Sequence, residues 1–174
     1  MLFIQMSGFP GSGKSTLARL IAERTGAVII DHDIIKSALM QSIDTDITPK
    51  AAGKISYHID WALVDFQLSQ GFDVILDSPC FYTEMIERGM KLARKYDAQY
   101  KYVECYLNDL QEIDRRLKNR ARMISQIHSV IATEEQFQSW VNNSKRPEGI
   151  DYLVVDSSKP IRHYFNRVIQ YIES

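Results

Sequence analysis

The apolar positions of the chain fall into short runs and helical stripes that alternate from one end to the other. Leu2 to Met6 is a short, largely apolar run that predicts a buried strand, and Lys14 to Arg24 predicts a helix with Leu17, Leu20 and Ile21 on one face, ended by Gly26. Ala27 to Ile30 predicts a second strand, followed at once by Asp31-His32-Asp33 and a short helix through Ile34 to Met40. Thr48-Pro49 is a helix start, with the hydroxyl as N-cap and proline at the first helical position. The stripe Ile55, Ile59, Ala62, Leu63, Phe66 carries that helix to Gly71. Asp73 to Asp77 is a third strand, Thr83 to Lys95 a helix and Tyr102 to Leu107 a fourth strand. Asp109 and Glu112 have capping-box spacing at the head of an arginine-rich helix. Residues 121–150 are less regular, with a helix after Thr133 to Gln136, before a strand at Tyr152 to Val155 and a last helix from Pro160 to Ile172.

Five strands alternating with helices imply a parallel sheet covered on both faces, joined by right-handed crossovers. Ligands of such sheets bind beyond the carboxyl ends of the strands. Gly8, Asp33, Asp77 and Ser157 all fall at such ends. With 174 residues, 45% of them apolar, the chain is expected to form one domain over residues 1–174.

Charge narrows the partners. A formal net charge of -1 supplies no global field for polyanions, so a nucleic-acid partner would need local features. Cys80 and Cys105 lack the paired spacing of a zinc site, redox dithiol or disulfide framework and read as two small apolar residues. The apolar start runs directly into the glycine-rich segment, leaving no room for a signal peptide, and no stretch reaches membrane-spanning length, so a cytoplasmic location is expected.

The chemistry is concentrated in Gly8-Phe-Pro-Gly11-Ser12-Gly13-Lys14-Ser15, which matches G-x-x-x-x-G-K-[ST] in full and lies between a predicted strand and a predicted helix. Glycines let backbone amides converge on phosphate oxygens, and the helix beginning at Lys14 adds its positive end. Lys14 is expected to reach the β- and γ-phosphates, Ser15 to ligate Mg2+, and Thr16 to support the α-phosphate. The expected cofactors are therefore ATP and Mg2+.

With this loop, the acid after the second strand (Asp31-His32-Asp33), Asp77, Arg116 and Arg120, and the terminal strand-loop-helix, the chain resembles the phosphate-loop kinases. The resemblance is to the group of polynucleotide kinases, zeta-toxin kinases and chloramphenicol phosphotransferase, and it spans nearly the whole chain. It implies a three-layer α/β/α P-loop NTPase fold, strand order 2-3-1-4-5, with a helical lid around residues 116–148. It implies an ATP-dependent kinase that transfers the γ-phosphate to a hydroxyl of a small-molecule or nucleotide-type acceptor. An aspartate in the position of Asp33 serves as base in polynucleotide kinases, and an arginine three residues on grips acceptor phosphate. Here that place is held by Lys36, which lacks the bidentate fork, so an extended nucleic acid is not the favoured acceptor.

Asp33 has a competing role as helix N-cap, and Asp31 competes with it as base. His32, between two acids, reads as a surface residue. Asp77 ends an apolar run, the place for a carboxylate that holds Mg2+ beside Ser15, or for a turn before Ser78-Pro79. Arg116 and Arg120 lie four apart, are expected to share a helix face and are candidate clamps on transition-state charge. Lys145-Arg146 reads as a solvated loop, Trp61 as core and His58 as a helix-surface residue, while the segment at Ser157 is where similar kinases cradle adenine. No guanine-reading Asn-Lys-x-Asp element occurs.

Two other readings compete. An ATP-dependent switch acting on a protein partner would need a water-activating residue, and no DxxG element is present. A nucleoside monophosphate kinase would line its acceptor side with arginines, whereas none occurs in the 63 residues between Arg24 and Arg88.

Overall fold

The computed structural model describes residues 1–43 and 47–174. Its elements are β1 (Leu2–Ser7), α1 (Lys14–Thr25), β2 (Val28–Asp31), α2 (His32–Ser42), α3 (Pro49–Ser69), β3 (Val74–Asp77) and α4 (Thr83–Lys95). They continue with β4 (Gln99–Tyr106), α5 (Leu110–Asn119), α6 (Glu134–Asn142), β5 (Leu153–Asp156), a 3-10 turn at Ile161–His163 and α7 (Phe165–Glu173). The five strands form one parallel sheet in the order β2-β3-β1-β4-β5, as the resemblance implied.

β1 is central and buried along its whole length, and its alternation feeds two cores. Leu2, Ile4 and Met6 pack with Leu17 and Ile21 of α1 and with Val168 and Ile172 of α7. Phe3, on the opposite face, packs with Trp61, Val64 and Leu68 of α3 and with Ile86 of α4. A third cluster joins Ile113 and Leu117 of α5 to Phe137 and Val141 of α6, with Phe9 packed against it. Trp61 is core, 3% exposed, as expected.

The caps read from sequence at Thr48, Asp109 and Thr133 form. Thr48 accepts a hydrogen bond from the Ala51 amide, and Thr133 with Gln136 closes a reciprocal capping box on α6. Asp109 caps α5 through the Glu112 amide, while the Glu112 carboxylate turns instead to Arg115 and Arg116. Strand limits differ by a few residues: β2 is shifted by one to include Asp31, and β4 starts three residues earlier, at Gln99. The last helix is divided into the 3-10 turn and α7. Among the described residues no helix is long and apolar enough to cross a membrane.

Candidate active site

The loop between β1 and α1 is shaped by backbone that only glycine adopts readily. Gly8, Gly11 and Gly13 have φ of 133°, 86° and 96°. A Cβ on Gly8 would lie 2.4 Å from the Cys105 carbonyl oxygen and 2.7 Å from Ser12 Oγ, so the loop hugs the end of β4. Among the described residues no side chain caps α1, which leaves its first amides free for an anion. Lys14, 8% exposed, donates to the Phe9 carbonyl at 3.2 Å and so folds back over the loop it serves. Burial pushes its pKa down, and the nearby carboxylates of Asp77 and Asp33 oppose that.

Asp77 ends β3 beside Asp31 of β2, its register partner. It is 4% exposed. Burial raises its pKa to about 6, against the pull of Lys14 and Ser15. Ser15 and Asp77 thus form a two-oxygen set beside the loop, which fits Mg2+, an ion that takes its remaining ligands from phosphates and water.

Asp31, not Asp33, caps α2: its Oδ1 accepts from the Asp33 amide at 3.0 Å and the Ile34 amide at 3.2 Å. The Asp33 carboxylate is therefore released from capping. Its Oδ2 accepts from Gln126 Nε2 at 2.7 Å, and Gln126 Oε1 is held by the Met123 amide at 3.2 Å. Ser125 Oγ also donates to the Asp33 carbonyl at 3.1 Å and lies 2.8 Å from Ser37 Oγ. The segment after α5 thus runs across the crevice and is pinned to α2. Lys36 Nζ stands near α3, 4.0 Å from where a Cβ on Gly53 would be.

His32 is a correction. It is 4% exposed, not a surface residue, because α3 brings Asp60 over it. His32 Nδ1 lies 2.6 Å from Asp60 Oδ2, and its ring stacks on Tyr57 with centroids 4.0 Å apart. Tyr57 in turn donates to the Pro79 carbonyl at 3.2 Å, tying α2 and α3 to the loop after Asp77. Asp60 is fully buried, its Oδ1 has no partner among the described residues, and burial raises its pKa against the pull of His32. His58 is exposed on α3, as expected.

The two arginines do not share a helix face. α5 ends at Asn119, and Arg120 has extended backbone with φ of -83° and ψ of 151°. Arg116 stays on the helix, where its Nε donates to Glu112 at 2.7 Å and its Nη2 to the Ser157 carbonyl at 2.9 Å. It also stands beside Gly13, with Nη1 3.9 Å from a Cβ placed there. Ser157, 2% exposed, donates its hydroxyl and amide to the Tyr106 carbonyl, both at 2.9 Å. Arg120 donates Nη2 to the Ile127 carbonyl at 3.0 Å, while its Nε is buried without a partner among the described residues. Burial lowers its pKa, opposed by Asp33, and its charge acts on Lys14. Lys145-Arg146 is not simply solvated either: Arg146 Nε donates to Glu104 Oε2 at 2.7 Å, and Glu104 is 1% exposed.

Thr16 is exposed at the start of α1, beside Ser15. Gln126, Ser125 and Asp60 join the site without any sequence expectation. Asp60 carried a signal, since it interrupts the buried stripe Ser56, Asp60, Val64 of α3 with a carboxylate. Gln126 carried none.

No curated protein shows significant sequence similarity to the chain. Among solved structures, a candidate kinase from Chloroflexus aurantiacus aligns with a TM-score of 0.76 at 17% identity, covering 98% of this chain and 97% of its own. The Mycobacterium tuberculosis APS kinase in complex with AMPPNP and APS aligns with a TM-score of 0.67 at 20% identity, covering 99% and 98%. A gluconokinase from Sinorhizobium meliloti gives 0.63 at 16% identity, covering 99% and 91%. The family model described as an AAA domain matches residues 3–147. The chain therefore belongs to the AAA domain family, in the fold shared by the phosphate-loop kinases.

Proposed function

We propose that this protein is an ATP-dependent kinase that phosphorylates a hydroxyl of a small-molecule or nucleotide-type acceptor. The observation that carries the reading is the state of Asp33: with Asp31 capping α2, the Asp33 carboxylate stands free of its own helix and in the same crevice as Lys14 and Arg120.

The roles follow from the groups. The loop amides and the head of α1 hold the triphosphate, and Lys14 neutralises its β- and γ-oxygens. Ser15 and Asp77 are the residues that would hold Mg2+, which would supply further charge neutralisation at the phosphates. Asp33 takes the acceptor hydroxyl's proton as the new O–P bond forms and the bond from the γ-phosphorus to its bridging oxygen breaks, leaving ADP. Arg120, whose buried Nε has no partner among the described residues, offsets charge on the moving phosphoryl. Arg116, bound to the Ser157 carbonyl beside Gly13, braces the nucleotide side. Lys36 attracts an anionic acceptor without gripping it.

The test is Asp33→Asn, assayed across a panel of hydroxyl compounds with ATP. The expected result is ATP affinity within about twofold of wild type and transfer reduced roughly 10²- to 10⁴-fold, the range for a lost general base. Wild-type transfer by the variant would remove Asp33 as base. A partner protein that stimulates ATP turnover, with no acceptor above the hydrolysis background, would favour the switch reading.

A further inference from the structure

The apolar stripe that marks α3 in the sequence is not the face that α3 packs on the sheet. The buried residues of α3 are Ala52, Ser56, Asp60, Trp61, Val64 and Leu68. The stripe Ile55, Ile59, Ala62, Leu63, Phe66 lies on the outer side: Ile55, Leu63 and Phe66 are 42%, 36% and 56% exposed, Ala62 is exposed and Ile59 half-buried. Single exposed apolar side chains are ordinary. Five along one stripe of a helix already packed on its other side mark a contact surface.

Three features point to a second copy of the chain as what covers it. The stripe reads the same from either end, since about a point between Asp60 and Trp61 Ile55 mirrors Phe66 and Ile59 mirrors Ala62. Two antiparallel copies of one helix across a two-fold axis need this symmetry, because residue i meets j and j meets i. The charges on α4 do the converse and change sign from one end to the other. Along the groove of about 690 Å³ between α3 and α4, Glu84 and Glu87 come from the first half of α4 and Lys91 and Lys95 from the second. Turning α4 against itself therefore sets acids on bases, with Glu87 opposite Lys91. Glu84, Glu87 and Lys91 are exposed and form no ion pair among the described residues. One axis serves both helices, because Arg88, near the middle of α4, stands over Trp61, near the middle of α3, with its guanidinium carbon 5.2 Å from the ring centroid.

The area is sufficient. α3 has 21 residues and α4 has 13. At about 1.5 Å per residue and about 10 Å across, they present roughly 500 Å² on each copy, or about 1,000 Å² in the pair, the lower limit for a specific interface.

We propose that the outer face of α3 and α4 is a homodimer interface, in which α3 packs antiparallel on α3 of a second copy and the acidic half of each α4 faces the basic half of the other. The proposal is independent of the kinase reading, because it uses none of the residues placed on the nucleotide or acceptor side.

The experiment is sedimentation velocity of the full chain without nucleotide, from about 1 to about 300 μM, a range that brackets the weak affinity of an interface of this size. The expected result is a monomer–dimer equilibrium whose dissociation constant rises about tenfold or more in Leu63→Asp and in Phe66→Asp. The unfolding midpoint of the dilute monomer stays that of wild type in both, since both side chains are exposed. Glu87→Lys is expected to weaken the dimer about fivefold or more, and Glu87→Lys combined with Lys91→Glu to restore it. Wild type that stays monomeric throughout overturns the proposal, as does a dimer that Phe66→Asp leaves intact. A dimer lost in Glu87→Lys and not restored by the double reversal overturns the antiparallel register. A monomer that instead binds vesicles of phosphatidylcholine and phosphatidylglycerol, and loses that binding in Phe66→Asp, gives the face to a membrane surface and overturns the proposal likewise.

Discussion

Asp77 offers a test in which the sign of the effect is as informative as its size. Its pKa is raised from 3.8 to about 6, chiefly by burial at the end of β3. Between those two values the folded chain binds more protons than the unfolded one, so the contribution of Asp77 to stability is greatest below pH 3.8 and is lost as pH rises through about 6. At ~1.36 kcal/mol for each pH unit, the loss amounts to ~3 kcal/mol. Asp31 and Asp60, also raised by burial, slope the same way, whereas Glu112 slopes the opposite way, with a pKa lowered to about 2 by the arginines that hydrogen-bond it. The measurement is therefore a difference: urea unfolding of wild type and Asp77→Asn, from pH 4 to pH 7, in the absence of nucleotide. Wild type is expected to lose stability relative to the variant across that interval, by up to ~3 kcal/mol. The gain to the variant is reduced to the extent that buried Lys14 loses its counter-charge. A difference that is flat, or that favours wild type increasingly towards pH 7, would refute the placement of a desolvated carboxylate at the proposed metal position. In the same variant the loop amides remain, so ATP binding should persist while its dependence on Mg2+ weakens.

The other expectations concern the loop, the buried pair and the crossing segment. Gly8→Ala forces a Cβ to within 2.4 Å of a backbone carbonyl at a φ of 133°. Strain of ~1–3 kcal/mol should weaken ATP binding by about one to two orders of magnitude in calorimetry. His32→Ala leaves fully buried Asp60 with neither oxygen partnered among the described residues and should cost ~3–5 kcal/mol in chemical denaturation. Replacing both residues, as in His32→Leu with Asp60→Leu, should restore most of that, and a double variant as unstable as the sum of the singles would contradict the pairing. Gln126→Ala removes the amide that holds Asp33 Oδ2 and should lower kcat about tenfold or more with KM for ATP unchanged. A rise in kcat would show instead that Gln126 competes with the acceptor for Asp33.

What could be read from sequence was local. The loop glycines, the Thr48-Pro49 start of α3 and the Thr133-Gln136 box of α6 each depend on residues within five positions of one another, and each forms as expected. The site's remaining geometry depends on partners far apart in the chain. Pairing with β3 draws Asp31 into β2 opposite Asp77, and that one-residue shift decides which aspartate caps α2 and which is left free. His32 looked isolated because Asp60 is 28 residues away, and Gln126 reaches Asp33 across 93 residues from a segment without periodicity. The arginines show the same limit most sharply. Continuing the helix through residue 120 would have set Arg116 and Arg120 on one face, aimed at one target. Because α5 stops at Asn119, the two diverge: Arg116 turns to the Ser157 carbonyl on the nucleotide side, and Arg120 stands within the field of Asp33 and Lys14. The end of one helix therefore distributes two cations between the two halves of the proposed transfer site, and it does so through contacts with Ile127 and Ser157 that no local pattern announces.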